Sequence, residues 1–206
     1  MTEDEKKFRR STFLKAGIAT AAAIPALTGE VLRGPDAGAA PLDPTPLCED
    51  GDEPTHEQIE GPYFKPDSPE RTDLREPGLP GALLTVTGLV YTRSCTPLPD
   101  VLLDFWQCDD AGIYDNQGYR LRGHQFTGST GRYELRTIVP GLYTGRTRHI
   151  HVKVQAPDQP ILTTQLYFPG EPGNDSDMIF DPALLMTIED GPDGKIGRYD
   201  FVLDLP

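Results

Sequence analysis

The sequence predicts an all-β fold: a single-domain β-sandwich with long loops and little helix, behind a cleavable N-terminal leader. Three observations predict it. Short runs rich in Val, Leu, Ile and aromatic residues recur along the chain, each is bounded by Gly, Pro or Asp, and only one stretch carries helix-start signals. The spacing of these runs suits two packed sheets.

The elements follow in order. Residues 83–91 and 101–107 read as strands joined by the connection Ser94-Cys95-Thr96-Pro97-Leu98-Pro99-Asp100, which looks like a hairpin. Further strands are expected at 132–138, 148–155, 162–168 and 198–203, with Asp193-Gly194 as a tight turn before the last one. Residues 181–189 read as the one helix, with Asp181 as N-cap and Pro182 in the first turn. No internal repeat or second core is visible. The body is therefore one domain, 61–206, preceded by a flexible arm, 40–60.

Residues 1–39 read as an export signal. Lys6, Lys7, Arg9, Arg10 and Lys15 flank or precede an apolar stretch, 16–27, that is too short to span a bilayer, and Ala37-Gly38-Ala39 offers a small-residue cleavage site. Arg9-Arg10 with Phe13-Leu14-Lys15 resembles a twin-arginine signal, with two residues rather than the usual one before the phenylalanine. Export by that route to the cell envelope or medium is the expected localisation. Of 19 Lys/Arg and 32 Asp/Glu, the leader holds six and five, so the body keeps 13 against 27 and a formal charge of −14. Such a surface repels phosphate, which argues against a nucleic-acid role, and no later segment is long and apolar enough to cross a membrane.

Three cysteines remain after the leader, Cys48, Cys95 and Cys108. One disulfide and one odd thiol is the simplest arithmetic in an oxidising compartment. Cys95 and Cys108 flank the expected hairpin unequally, so Cys48 is expected to pair with one of them, with Cys108 preferred. None of the three has the paired spacing of a structural zinc site.

The chemistry concentrates in 141–152, Gly-Leu-Tyr-Thr-Gly-Arg-Thr-Arg-His-Ile-His-Val. In an extended strand His149 and His151 point one way while Ile150, Val152 and Val154 point into a core. Alone, this fits an edge strand with two solvated histidines equally well. Tyr143 feeds the same strand, and Tyr114 follows the strand carrying Phe105-Trp106-Gln107. Two phenols and two imidazoles converge if those strand ends are neighbours. Phenolate oxygen is a hard anionic donor that favours Fe(III) over Zn(II).

Together these residues resemble the intradiol ring-cleavage dioxygenases, and in particular exported members of that family. The resemblance covers roughly 48–181 and runs in order through Glu60-Gly61-Pro62-Tyr63-Phe64, Phe105-Trp106-Gln107-Cys108-Asp109 with Gly112 and Tyr114, and Leu121-Arg122-Gly123. It continues through Gly131-Arg132-Tyr133, then Arg136-Thr137-Ile138-Val139-Pro140-Gly141-Leu142-Tyr143 and Gly145-Arg146, and ends with His149-Ile150-His151 and Thr164-Gln165-Leu166-Tyr167-Phe168-Pro169. It implies a non-haem Fe(III) held by Tyr114, Tyr143, His149 and His151, with Tyr143 the labile ligand that takes up a substrate proton. It places Arg146 over the substrate ring, Gln165 beside it, and Gly61, Pro62 and Tyr63 at the pocket edge. The implied reaction is cleavage of a catechol by O2 to a muconate-type diacid; a homodimer is allowed but not required.

Some residues fall outside this pattern. His124 matches no family ligand and reads as a surface or supporting residue. His56-Glu57 resembles half of a zinc-protease helix motif whose second histidine is missing. Two other functions stay open: a sandwich that binds without turnover, and a ferrous extradiol dioxygenase, which needs two histidines and a carboxylate.

Overall fold

The computed structural model describes residues 53–206. The leader and Cys48 lie outside the described residues, as does the expected arm up to residue 52. The described chain forms β1 (Leu83–Thr92), β2 (Leu102–Trp106), β3 (Arg122–Phe126), β4 (Arg132–Ile138), β5 (His149–Gln155), β6 (Leu162–Tyr167), a 3₁₀ turn (Pro182–Leu184), β7 (Thr187–Gly191), β8 (Gly194–Arg198) and β9 (Phe201–Leu203). One sheet has the order β4-β1-β8-β7, with β9 pairing farther along β1; the other has the order β3-β2-β5-β6.

The sandwich core forms where the inner faces meet. Leu84, Val86 and Leu135 of the first sheet share one buried cluster with Leu103, Phe105, Ile150, Val152, Val154 and Leu166 of the second. Alternation in β5 is as expected, but β5 is not an edge: it lies between β2 and β6. Its second face, which carries His149 and His151, is buried as well, so loops must roof that side.

The structure corrects several expectations. β1 and β2 do not form a hairpin, because they belong to different sheets. The connection turns back on the end of β1 instead, with Cys95 N donating to Thr92 O and Leu98 N to Val90 O, and the chain then crosses the sandwich. The expected helix over 181–189 is one 3₁₀ turn. Asp181 does cap it, accepting from Ala183 N at 2.9 Å, but the chain then leaves to pair: Met186 N donates to Tyr167 O, and β7 forms a ladder with β8. Tertiary pairing overrides the local helix signal here.

The expected last strand, 198–203, is two strands. β8 and β9 pair with successive parts of β1, and the chain between them crosses at Gly88, where an added Cβ would lie 1.8 Å from Tyr199 O. Asp193-Gly194 closes the β7–β8 hairpin rather than preceding one long strand. The preferred Cys108 disulfide is also overturned. Cys108 is a buried free thiol whose Sγ donates to Gly141 O at 3.5 Å, whereas Cys95 is the disulfide-bonded residue.

Of the expected arm, the described part is not loose. Thr55 N donates to Val202 O, Gln58 N to Thr163 O, Thr164 Oγ1 to His56 O, and Gln165 Nε2 to Ile59 O. These bonds make residues 55–59 a strap along β6 and β9.

Candidate active site

The outer face of the second sheet carries the site. Cross-strand register places Arg122 opposite Trp106, Trp106 opposite His151, and His151 opposite Gln165, so four strands contribute one side chain each to a single row. The next row pairs His149 with Tyr167. All six side chains are buried. The loops 59–64, 109–115, 141–147 and 174–179 supply the remaining residues.

His149 and His151 meet at their Nε2 atoms, 3.1 Å apart, and Tyr114 Oη lies 3.3 Å from His149 Nε2. His149 Nδ1 donates to Thr147 O at 2.7 Å, which fixes its tautomer and leaves the Nε2 lone pair facing the site. His151 is held differently: its ring stacks on Trp106 at 4.7 Å and 8°, and its Nδ1 has no described hydrogen-bond partner.

Tyr63 joins the two tyrosines. Its ring stacks on Tyr114 at 4.4 Å and 11°, meets Tyr143 edge-on at 5.4 Å, and its hydroxyl lies 2.9 Å from that of Tyr143. Gly61 stands where a Cβ would lie 3.6 Å from His151 Cε1, and its φ of +74° belongs to the region that favours glycine. Pro62, also expected at the edge, is exposed. Arg122 fixes this edge from beneath, donating from Nη1 to Tyr63 O at 2.6 Å and from Nε and Nη2 to Asp115 O at 3.2 and 3.0 Å.

Arg146 lies at the opposite wall. Its Nε donates to Asp177 Oδ2 at 2.8 Å, and its Nη2 donates to Gln165 Oε1 at 2.7 Å and to Tyr167 Oη at 3.2 Å. Gln165 is fully buried and uses both ends of its amide, since Nε2 donates to Ile59 O at 2.9 Å. A cavity of about 430 Å³ opens beside these groups, lined by Leu142, Tyr143, Arg146 and Asp177 among others.

Electrostatics follow from burial. Desolvation pushes the Tyr114 phenol well above its ordinary value and lowers His149 to about 4; His151 is also held well below its ordinary value, by the same cause and by its neighbour His149. Neutral imidazoles are the metal-binding form. Two Nε2 lone pairs aimed at one point repel unless one ring carries its proton there, whereas a cation between them makes the same geometry favourable. The phenol of Tyr114 beside them ionises at a cost that a nearby cation removes. The donor set, two imidazoles and phenolic oxygen, fits a hard, highly charged ion such as Fe(III). Among the described residues no group of three His, Cys, Asp or Glu could hold a metal.

The sequence points to the four candidate ligands and to Arg146 but to no role for Asp177, Tyr167, Trp106 or Arg122. Three of these fall inside motifs already singled out, and their register on adjacent strands is what reveals them. Asp177 lies in a Gly- and Asp-rich loop with no local signal. His124 lies away from this group, bonded to Ser68 Oγ at 3.1 Å, and His56 pairs with Asp181 at 2.6 Å.

The chain is similar in sequence and fold to known dioxygenases. Residues 59–205 match a family model described as a dioxygenase. The chain is similar to the dioxygenase domain of a dioxygenase carbohydrate-binding protein fusion from the cellulolytic bacterium Streptomyces sp. SirexAA-E. Identity is 62%, the TM-score is 0.73, and the match covers 75% of this chain and 100% of that one. It is also similar to 3-chlorocatechol 1,2-dioxygenase from Rhodococcus opacus, at 30% identity and a TM-score of 0.68 over 74% of each chain. Hydroxyquinol 1,2-dioxygenase from Nocardioides simplex is 29% identical over 189 residues, which span 72% of this chain and 64% of that protein.

Proposed function

Given that the chain belongs to the intradiol ring-cleavage dioxygenase family, we propose that it opens a catechol-type diol between its two hydroxyl-bearing carbons. The oxidant is O2, the product is a muconate-type diacid, and the site is a ferric ion held by Tyr114, Tyr143, His149 and His151. The observation that carries this reading is the gathering of donors at His149 Nε2, which lies 3.1 Å from His151 Nε2 and 3.3 Å from Tyr114 Oη. When bound, the ion supplies the Lewis acidity that draws electron density from a chelated catecholate and opens its ring to O2.

The chain's own residues perform the remaining tasks. Tyr143, half-buried at the cavity wall, is placed to accept a proton from a substrate hydroxyl, and the Tyr63 hydroxyl 2.9 Å away stabilises it in either protonation state. Thr147 O orients His149, and Trp106 with Phe64, 5.0 Å apart edge to face, keeps water from the His151 side. Arg146 holds a permanent positive charge beside the cavity, where it stabilises negative charge developing on the ring. The described carboxylates near the site do not include a third metal donor, which weighs against the ferrous extradiol alternative.

We further read the leader as delivering the protein to the cell envelope or medium. The disulfide at Cys95 supports an oxidising compartment.

The test is direct. Purified protein should bind one iron per chain and be red to burgundy, and a panel of catechols monitored for O2 uptake should give an ultraviolet-absorbing muconate from at least one member. A yellow semialdehyde would mean cleavage beside the diol and would overturn the reading.

A further inference from the structure

We propose that Asp177 is a positioning residue for Arg146, aiming the free nitrogen of its guanidinium at the diol site; this rests on the ring-cleavage reading above. A guanidinium is planar and presents its N–H groups in a rigid fork, so fixing two of its nitrogens fixes the third. Asp177 Oδ2 holds Nε, and Gln165 with Tyr167 holds Nη2. Nη1 has no described partner, and Arg146 lines the same cavity as Tyr143. Nη1 is thus the nitrogen left for the substrate.

The holder is itself held. Asp177 Oδ2 also accepts from Thr147 N at 2.9 Å, and Oδ1 accepts from Ile179 N at 3.2 Å. Its side chain is only 4% exposed, and among the described residues it is the one carboxylate within 4.0 Å of Arg146. Three donors inside the protein therefore hold the carboxylate in place. Thr147 connects the two halves of the site, since its N–H binds Asp177 while its carbonyl orients His149. Asp177 therefore sets Arg146 relative to the histidine strand.

The experiment compares Asp177→Asn, Arg146→Ala and the double variant, each as iron-loaded protein. If Asp177 works through Arg146, Asp177→Asn keeps its iron and its visible band and loses kcat by about 10²-fold, the scale of a small misplacement of a catalytic group. The same substitution then adds less than about twofold in the Arg146→Ala background, because interacting residues are non-additive. Losses that multiply, or an Asp177→Asn protein that turns over like wild type, would overturn the proposal.

A second arm needs no turnover. Phenylglyoxal labelling of Arg146, mapped by mass spectrometry, should be faster in Asp177→Asn, and in Asp177→Ser should the asparagine variant not fold; equal rates would also overturn it. If wild-type protein with full iron cleaves no catechol, the ring-cleavage reading fails, and the labelling arm still decides whether Asp177 holds Arg146.

Discussion

The rings of Trp106 and His151 lie face to face, 4.7 Å apart and within 8° of parallel, because register pairs the two residues across β2 and β5. Trp106 is the only tryptophan in the chain, so its emission comes from one place, against the His151 ring. Adding ferric iron to iron-free protein should quench this emission in proportion to the metal bound, with an endpoint at one ion per chain. Emission that stays constant while metal analysis shows full loading would remove His151 from the coordination sphere.

The two tyrosines should be distinguishable. Tyr114 is buried and stacked under Tyr63, whereas Tyr143 is half-buried at the cavity. Tyr114→Phe and Tyr143→Phe should each change the visible charge-transfer band, since each removes a phenolate donor. On adding a catechol, the Tyr143→Phe spectrum should change less than that of wild type, because the donor that substrate displaces is already gone. An unaltered resting spectrum in either variant would exclude that tyrosine as a ligand.

Acid should weaken the iron-free protein in a defined window. Burial lowers His149 to about 4, while the unfolded chain binds a proton at about 6.5. Between those values the unfolded state holds more protons, so stability rises with pH and is lost as pH falls from about 6.5 to 4. For His149 alone the loss is on the order of 3 kcal/mol. Urea midpoints measured across this window should fall steadily, and His149→Gln should flatten the slope. An equal slope in that variant would mean that other groups dominate.

Arg146→Ala should retain iron and still change colour with catechol, yet lose turnover by about 10²-fold or more, the scale of removing one transition-state electrostatic partner. Stopped-flow spectra and O2 uptake measure the two effects separately. Unimpaired turnover would deny Arg146 its role.

The cysteines give a simple count. Burial raises the Cys108 thiol to about 11, so a thiol reagent should not react with the native protein. Unfolding without reductant should expose one reactive thiol per chain, at Cys108, with Cys95 remaining oxidised. Three reactive thiols would contradict the disulfide.

The sandwich was legible in the sequence, and so were the two candidate histidines, because alternation in 149–154 separates imidazole from core residues without reference to anything distant. Which strands pair was not legible. The connection at 94–100 carries turn residues that suit a hairpin and a crossing of the sandwich equally, and only the competition of β4, β8 and β9 for β1 decides between them. Local chemistry at Asp181 and Pro182 does start a helical turn, but nothing nearby records that Tyr167 O waits for Met186 N. The same limit hid Asp177, whose partners Arg146 and Thr147 lie about thirty residues earlier.

β1 is a shared spine whose far partners arrive last. Leu84–Thr87 pairs with Lys195–Arg198, and Val90–Thr92 with Phe201–Leu203, each across about a hundred residues of intervening chain. Closing loops of that length is slow, and such contacts raise contact order. The sheet that carries the site draws its four strands from within 102–167, a stretch that also holds β4 of the other sheet, and its pairings span far shorter loops. During synthesis the histidine strand can therefore be seated between its neighbours while the end of the chain is still unmade. The closing residues would then act as a latch, added to a histidine-bearing face already in place.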